Sequence, residues 1–399
     1  MNDLIYPRER TLGTITLALG LMAWFALIVG TFGSALIALL MGFELYLFVQ
    51  STLIAYIRGN GVELSETQFP DLYTQFTECC DQLQMAEKPQ AYILNGNGGL
   101  NAFATKFLGT QYVVLLTDVV DAMDKHDDGV RFYMGHELGH LRMKHISGHF
   151  MRWPVLWLPL LGAAYSRARE STCDRHGLAC CQSPEGAARA LAALAAGTKR
   201  WQQLDVTAYV KQTHYTSGFW MSFHELTAGY PWLTKRAARV MDTEMSMPRR
   251  NAFSYLFAAF IPYAGRLGAG FGVLMLIYII GTLSAVGIPA YQQYTTLTEL
   301  NTTITSSQNV RDALGNYYLN NQKIPESLGV VGFQPELSDG SIMSLANDMI
   351  LTISTQKGEL IFTPSVNALG EIVWDCTNGE GLNSEQLPPS CVRVKIQKK

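Results

Sequence analysis

Residues 136–140 read His136-Glu137-Leu138-Gly139-His140, and the fold assignment turns on this pentapeptide. Positions four apart on a helix share a face, so both histidines can reach one cation. Glu137 lies beside them, where its carboxylate can take a proton from an attacking water. The flanking sequence suits a helix. Gln111 to Val120 is a β-branched run that predicts a strand entering a short helix. Gly129 to His145 can form one helix, with Phe132, Leu138 and Leu141 available for packing.

A third ligand is needed for a catalytic metal site with an open position. A pattern with glycine and a third histidine just beyond the motif fails, because Met143 and Ile146 stand there. His145 is one position off the ligand slot and is expected to face elsewhere, as an ordinary polar residue or one that supports a ligand from behind. Glu170 is the better candidate. It lies in Arg169-Glu170-Ser171-Thr172-Cys173-Asp174, where Glu170 and Asp174 again share a helix face. Glu170 would complete a two-His, one-Glu set, and Asp174 could accept the second ring N–H of a ligand histidine. Read alone, this stretch is also compatible with a solvated charged helix. Cys173 is expected to be structural and not to touch the metal.

Asn101-Ala102-Phe103-Ala104, a strand, the HExxH helix and the later Glu170-x-x-x-Asp174 together resemble the HtpX and CAAX prenyl protease family of membrane metallopeptidases, over about residues 60–240. The resemblance implies a zinc endopeptidase with one ion on His136, His140 and Glu170, and Glu137 as catalytic base. It also implies a strand at Asn101–Ala104 that pairs with an extended protein or peptide substrate. The family's downstream His-Pro…Arg segment matches Tyr230-Pro231 and Arg236, with tyrosine in place of histidine. Arg236 is expected to pair with an acidic group near the metal.

Composition points to a membrane. Of 399 residues, 48% are hydrophobic and only 16% charged, and the net charge of −3 offers no nucleic-acid surface. Leu12 to Gly30 and Ser34 to Ile57 are each of spanning length, and the short connection makes them a hairpin. A second span following at once favours a retained first span over a cleaved signal peptide. Arg8, Arg10 and Arg58 place both hairpin ends in the cytoplasm. Glu44, inside the second span, is expected to line a polar cavity or a bundle interface. Met151 to Tyr165 is apolar but short and carries two prolines, so it reads as a half-helix or loop on the membrane surface, with burial in the protein core as the alternative. A crossing there would put Glu170 on the wrong side from His136. Ser183-Pro184 predicts a capped start to an alanine-rich scaffold helix. Ala252 to Gly265 reads as an interfacial approach helix.

Leu267 to Ile288 is a third span. Basic residues precede it and none follows until Arg311, which places the chain's end outside the cytoplasm. Cys376 and Cys391 flank a Gly/Asn/Pro-rich loop and are expected to pair in an oxidising compartment. Cys79, Cys80, Cys180 and Cys181 are expected to be reduced and structural. Ile279 to Tyr294, Asn316-Tyr317-Tyr318 and the Cys376…Cys391 ending resemble type IV pilins over about residues 270–399. That resemblance implies a long helix on a small antiparallel sheet, with strands near 349–354, 359–363, 371–376 and 392–396. Gly272 stands where pilins carry an acidic residue, and the segment is internal, so partner binding is a milder reading than filament assembly.

These readings predict a mainly α membrane protein: a helical zincin-type metallopeptidase domain with a small sheet, plus a C-terminal α+β pilin-like domain. The expected divisions are 1–58 (transmembrane hairpin), 59–250 (metallopeptidase), 251–290 (approach segment and third span) and 291–399 (pilin-like). The function expected is a multi-pass zinc endopeptidase of a bacterial inner membrane, peptidase domain cytoplasmic and pilin-like domain periplasmic. Membrane-protein quality control or pilin-related processing are its candidate roles, and pilus or secretion components its candidate partners beside the bilayer. The competing reading is a non-catalytic membrane scaffold or pilus-associated protein.

Overall fold

In the computed structural model, which describes residues 4–99 and 101–391, the chain is mainly helical with two small sheets. It divides into two compact units, Met1–Tyr278 and Ile279–Lys399.

The first unit opens with α1 (Pro7–Gly30) and α2 (Ala35–Asn60), both long and apolar enough to cross a membrane. Glu44 lies exposed on α2. After β1 (Val62–Glu63) and α3 (Pro70–Gln82) come β2 (Gln90–Leu94), β3 (Ala102–Phe107) and β4 (Thr110–Leu116). The sheet order is β1-β2-β4-β3, with β2 parallel and β3 antiparallel to β4. β3 is therefore an edge strand.

β4 runs directly into α4 (Thr117–Met123), and α5 (Asp127–Arg142) carries the HExxH motif. Phe132, Met134 and Leu138 of α5 pack against Val113 and Leu115 of β4 and the alanine-rich α8 (Pro184–Arg200) in one core. Ser183 caps α8, its hydroxyl accepting from the Gly186 N–H at 3.0 Å, with Pro184 in the first turn.

The apolar stretch after the motif forms α6 (His149–Leu156), too short to cross. It lies along α1. The indole N–H of Trp24 donates to the Phe150 carbonyl (3.2 Å), and Trp24 stacks on Phe150 and Trp153 with ring centroids 5.1 and 6.2 Å apart. The chain then turns into α7 (Leu161–Ala179), which holds Glu170. α9 (Val206–Lys211), α10 (Phe219–Thr227), α11 (Leu233–Met241) and α12 (Ala252–Ala258) follow.

In the second unit, α13 (Gly268–Ser306), whose residues from Ile279 on belong here, and α14 (Gln308–Asn321) supply Leu300, Val310 and Leu314. These pack on the antiparallel sheet β5 (Ile342–Leu345), β6 (Leu351–Thr355), β7 (Gly358–Val366) and β8 (Ile372–Asn378). The sequence reading missed β5. Its final strand, 392–396, lies outside the described residues. Cys376 and Cys391 are disulfide-bonded, with Cα atoms 4.9 Å apart.

Candidate metal centre

α5 and α7 cross closely because glycines face each other's backbone. A Cβ on Gly135 would stand 2.8 Å from the His176 carbonyl oxygen, and one on Gly177 would stand 2.7 Å from that of Phe132. Gly139, inside the motif, would meet Cys173 Cα at 3.2 Å. This contact carries Glu170 up to the histidines.

Glu170 Oε2 lies 3.4 Å from His136 Nε2, and its Oε1 lies 3.7 Å from His140 Nε2. All three side chains are largely buried, as is Glu137. Two imidazole nitrogens and a carboxylate thus converge on one point, a donor set that suits zinc. Asp174 Oδ1 approaches His136 Nδ1 to 3.1 Å, off the ideal hydrogen-bond line. Arg236, from α11, grips Asp174 with two N–H donors (2.9 and 2.6 Å) and approaches Glu170 Oε2 to 3.8 Å.

The electrostatics follow from this packing. Burial alone would lower the His136 pKa, but Asp174 and Glu170 outweigh it and raise it to about 10. Burial disfavours the Glu170 carboxylate too, yet His136, His140 and Arg236 hold its pKa well below the usual range. Asp174 is lowered likewise, against its burial, chiefly by Arg236 and His136. Burial keeps His140 well below the ordinary histidine value.

The sequence reading placed His145 on the same helix, facing away. Instead α5 ends at Arg142 in a Schellman turn. Lys144 is left-handed (φ 54°), its N–H bonds the Leu141 carbonyl, and the His145 N–H bonds the His140 carbonyl, both at 3.0 Å. The reversal sets His145 Nδ1 3.1 Å from His140 Nδ1. His145 Nε2 in turn lies 2.7 Å from Glu9 Oε1, at the start of α1. Both are buried. With His140 Nε2 as the ligand atom, its Nδ1–H donates to His145, whose Nε2–H donates to Glu9. No sequence signal links Glu9 to His145.

Cys173, set aside in the sequence reading, is close. His136, His140 and Cys173 can each offer a donor atom within 4.8 Å of the others. The Cys173 sulfur, however, lies 3.6 Å from His145 Nδ1, and burial together with Glu170 and Glu137 pushes its thiol pKa well up. Glu170, whose two oxygens face both Nε2 atoms, is the better-placed ligand.

A cleft of about 320 Å³ opens on these groups. Asn101 to Ala104 form one wall, and Glu137, Tyr230 and Arg236 also line it. The strand expected to take substrate and the HExxH helix thus border one space.

Residues 66–158 match the model of Peptidase family M48. This match, which includes His136, Glu137 and His140 and ends before Glu170, indicates a metallopeptidase. Further comparisons point to pilins. Parts of the chain are similar to type IV major pilin protein PilE1 sequences of Neisseria gonorrhoeae. One is 36% identical over 98 residues, covering 25% of this chain and 51% of that protein. Another is 36% identical over 67 residues, 17% of this chain and 41% of that protein. A third is 28% identical over 113 residues, 28% and 44%. The chain spans about half the length, or less, of the curated relatives it matches.

Proposed function

We propose that the chain is a membrane-anchored zinc endopeptidase. The observation that carries this reading is the convergence of His136, His140 and Glu170 on one point, beside Glu137, in a cleft walled by an edge strand. His136, His140 and Glu170 would hold the ion. Zinc bound there supplies Lewis acidity toward a peptide carbonyl and lowers the pKa of water to about 7.

The chain's own groups do the rest. Among the described residues β3 pairs with β4 alone, so its outer edge can take an extended substrate as an added strand. The strand holds the scissile bond over the HExxH helix. The Glu137 carboxylate takes a proton from the attacking water and returns it to the leaving amine nitrogen. Asp174, clamped by Arg236, orients His136, while His145 and Glu9 orient His140. Tyr230 lines the cleft where the resembling family has a histidine.

The apolar helices and their flanking arginines support a multi-pass protein of a bacterial inner membrane, with the peptidase unit cytoplasmic and the disulfide-bearing unit periplasmic. The pilin similarity supports pilin-related proteins as substrates or partners, and the membrane setting supports damaged membrane proteins.

The test is cleavage of an unfolded model protein by zinc-loaded full-length protein in detergent. Glu137→Gln should lose about 10²–10⁴-fold in rate with zinc retained. Glu170→Ala should lose zinc, and Cys173→Ser should keep both zinc and activity. Zinc lost in Cys173→Ser but not in Glu170→Ala would reverse the ligand choice. No cleavage by the wild type across several substrates would favour the scaffold reading.

A further inference from the structure

Asp174, which approaches His136, also borders a second cavity, of about 410 Å³. Six basic residues line it: Arg8 at the start of α1, Arg175 on α7, Lys235 and Arg239 on α11, and Arg249 and Arg250 beyond α11. The one lining carboxylate, Asp174, is held by Arg236. Lys235 and Arg250 both pair with Glu225, at 2.7 and 2.9 Å. Among the described residues no carboxylate pairs with Arg8, Arg239 or Arg249. The cavity therefore holds an excess of positive charge.

Two of its guanidiniums are held in place by further contacts. Those of Arg175 and Arg239 lie over the Tyr6 ring, 5.5 and 5.7 Å from its centre. Arg175 donates to the Ile5 carbonyl (3.4 Å) and Arg239 to the Ser171 hydroxyl (3.3 Å). A neighbouring cavity of about 340 Å³ shares Tyr6, Arg8 and Arg239 and continues past Leu12, Leu160, Ala164 and Leu226. The basic chamber thus opens onto an apolar track beside α1, a helix long enough to span a bilayer.

We propose that this double cavity binds the phosphate-bearing headgroup of an anionic phospholipid. The phosphate sits among Arg8, Arg239 and Arg249, and an acyl chain follows the track beside α1. Arginine forks suit phosphate oxygens, and basic pockets at the cytoplasmic ends of membrane helices suit anionic headgroups. A free phosphate has the same oxyanion chemistry but no use for the track. The site rests on α1 lying in a bilayer and is independent of the catalytic reading.

The experiment is native mass spectrometry of the full-length protein in detergent with equal amounts of phosphatidylglycerol and phosphatidylcholine. Wild type should retain phosphatidylglycerol preferentially. The preference should fall about fivefold in Arg249→Gln and about 25-fold in the Arg8→Gln/Arg249→Gln double variant. Both residues are exposed and outside the core, so the fold should hold. The control Arg200→Gln, exposed and outside the cavity, should bind as wild type, as should Glu137→Gln. Equal occupancy by the two lipids, or an unchanged preference in both variants, would overturn the site. Displacement of phosphatidylglycerol by an equal concentration of inorganic phosphate would overturn the lipid assignment and make a soluble phosphate the occupant.

Discussion

His136 sits between two carboxylates, and this sets how the metal-free site responds to pH. Its pKa is raised in the folded state, to about 10 from 6.5, so its contribution to stability is full below pH 6.5 and lost as pH rises toward 10. Glu170 and Asp174 have lowered pKa values, so theirs is present above their ordinary values of 4.5 and 3.8 and lost in stronger acid. Chelator-treated protein should therefore melt at progressively lower temperature from pH 6.5 to 10. A zinc ion in place of the His136 proton removes that loss, so the gain in Tm on adding zinc should widen over the same range. Thermal melts with and without chelator check this, and a pH-independent gain would contradict it. Glu9 gives a second prediction. Glu9→Gln keeps the side chain's size but weakens the acceptor for His145, and should cost about 10–100-fold in zinc affinity, read by competition with a chelating dye. Unchanged affinity would reduce Glu9 to a packing residue. His136, Glu137, His140, Glu170 and Asp174 were legible because each lies one helical turn from a partner. His145 and Glu9 were not, since their meeting needs a turn with a left-handed lysine and a contact across 136 positions.

Between α5 and α7 the spacing of two backbones decides whether Glu170 reaches the histidines. Gly135→Ala would press a methyl on the His176 carbonyl and should destabilise the protein by about 1–3 kcal/mol, with zinc lost before the fold. Zinc content beside a denaturant curve tests this; full zinc occupancy would show that the crossing can relax. The strand before the motif, the helix carrying it and the capped α8 were readable from apolar period and cap residues. The end of α5 was not, because neither glycine nor proline marks it. α6 was legible only as too short to cross. Its seat along α1 depends on Gly20, where a Cβ would stand 2.2 Å from the Met151 carbonyl oxygen.

The chain as a whole joins a unit carrying the candidate metal site to a helix-on-sheet unit, each with its own core. In the second, the disulfide ties β8 to the buried Cys391 and closes a loop of 15 positions. Its reduction should cost that unit about 3 kcal/mol. Amide hydrogen exchange in β7 and β8 should then accelerate, and protection unchanged by reductant would show that packing alone holds the sheet. The sequence by itself determined the helix-borne histidines and carboxylates of the candidate metal site, the three apolar helices and the cysteine pair, because each is written in local spacing, run length or a nearby partner. Only the tertiary structure decided that β3 is an edge facing the metal groups, that Glu9 supports His140 through His145, and that arginines from α1, α7 and the segment from α11 onward gather in one cavity. Those arrangements depend on chain reversals and helix crossings between distant segments, which no local pattern encodes.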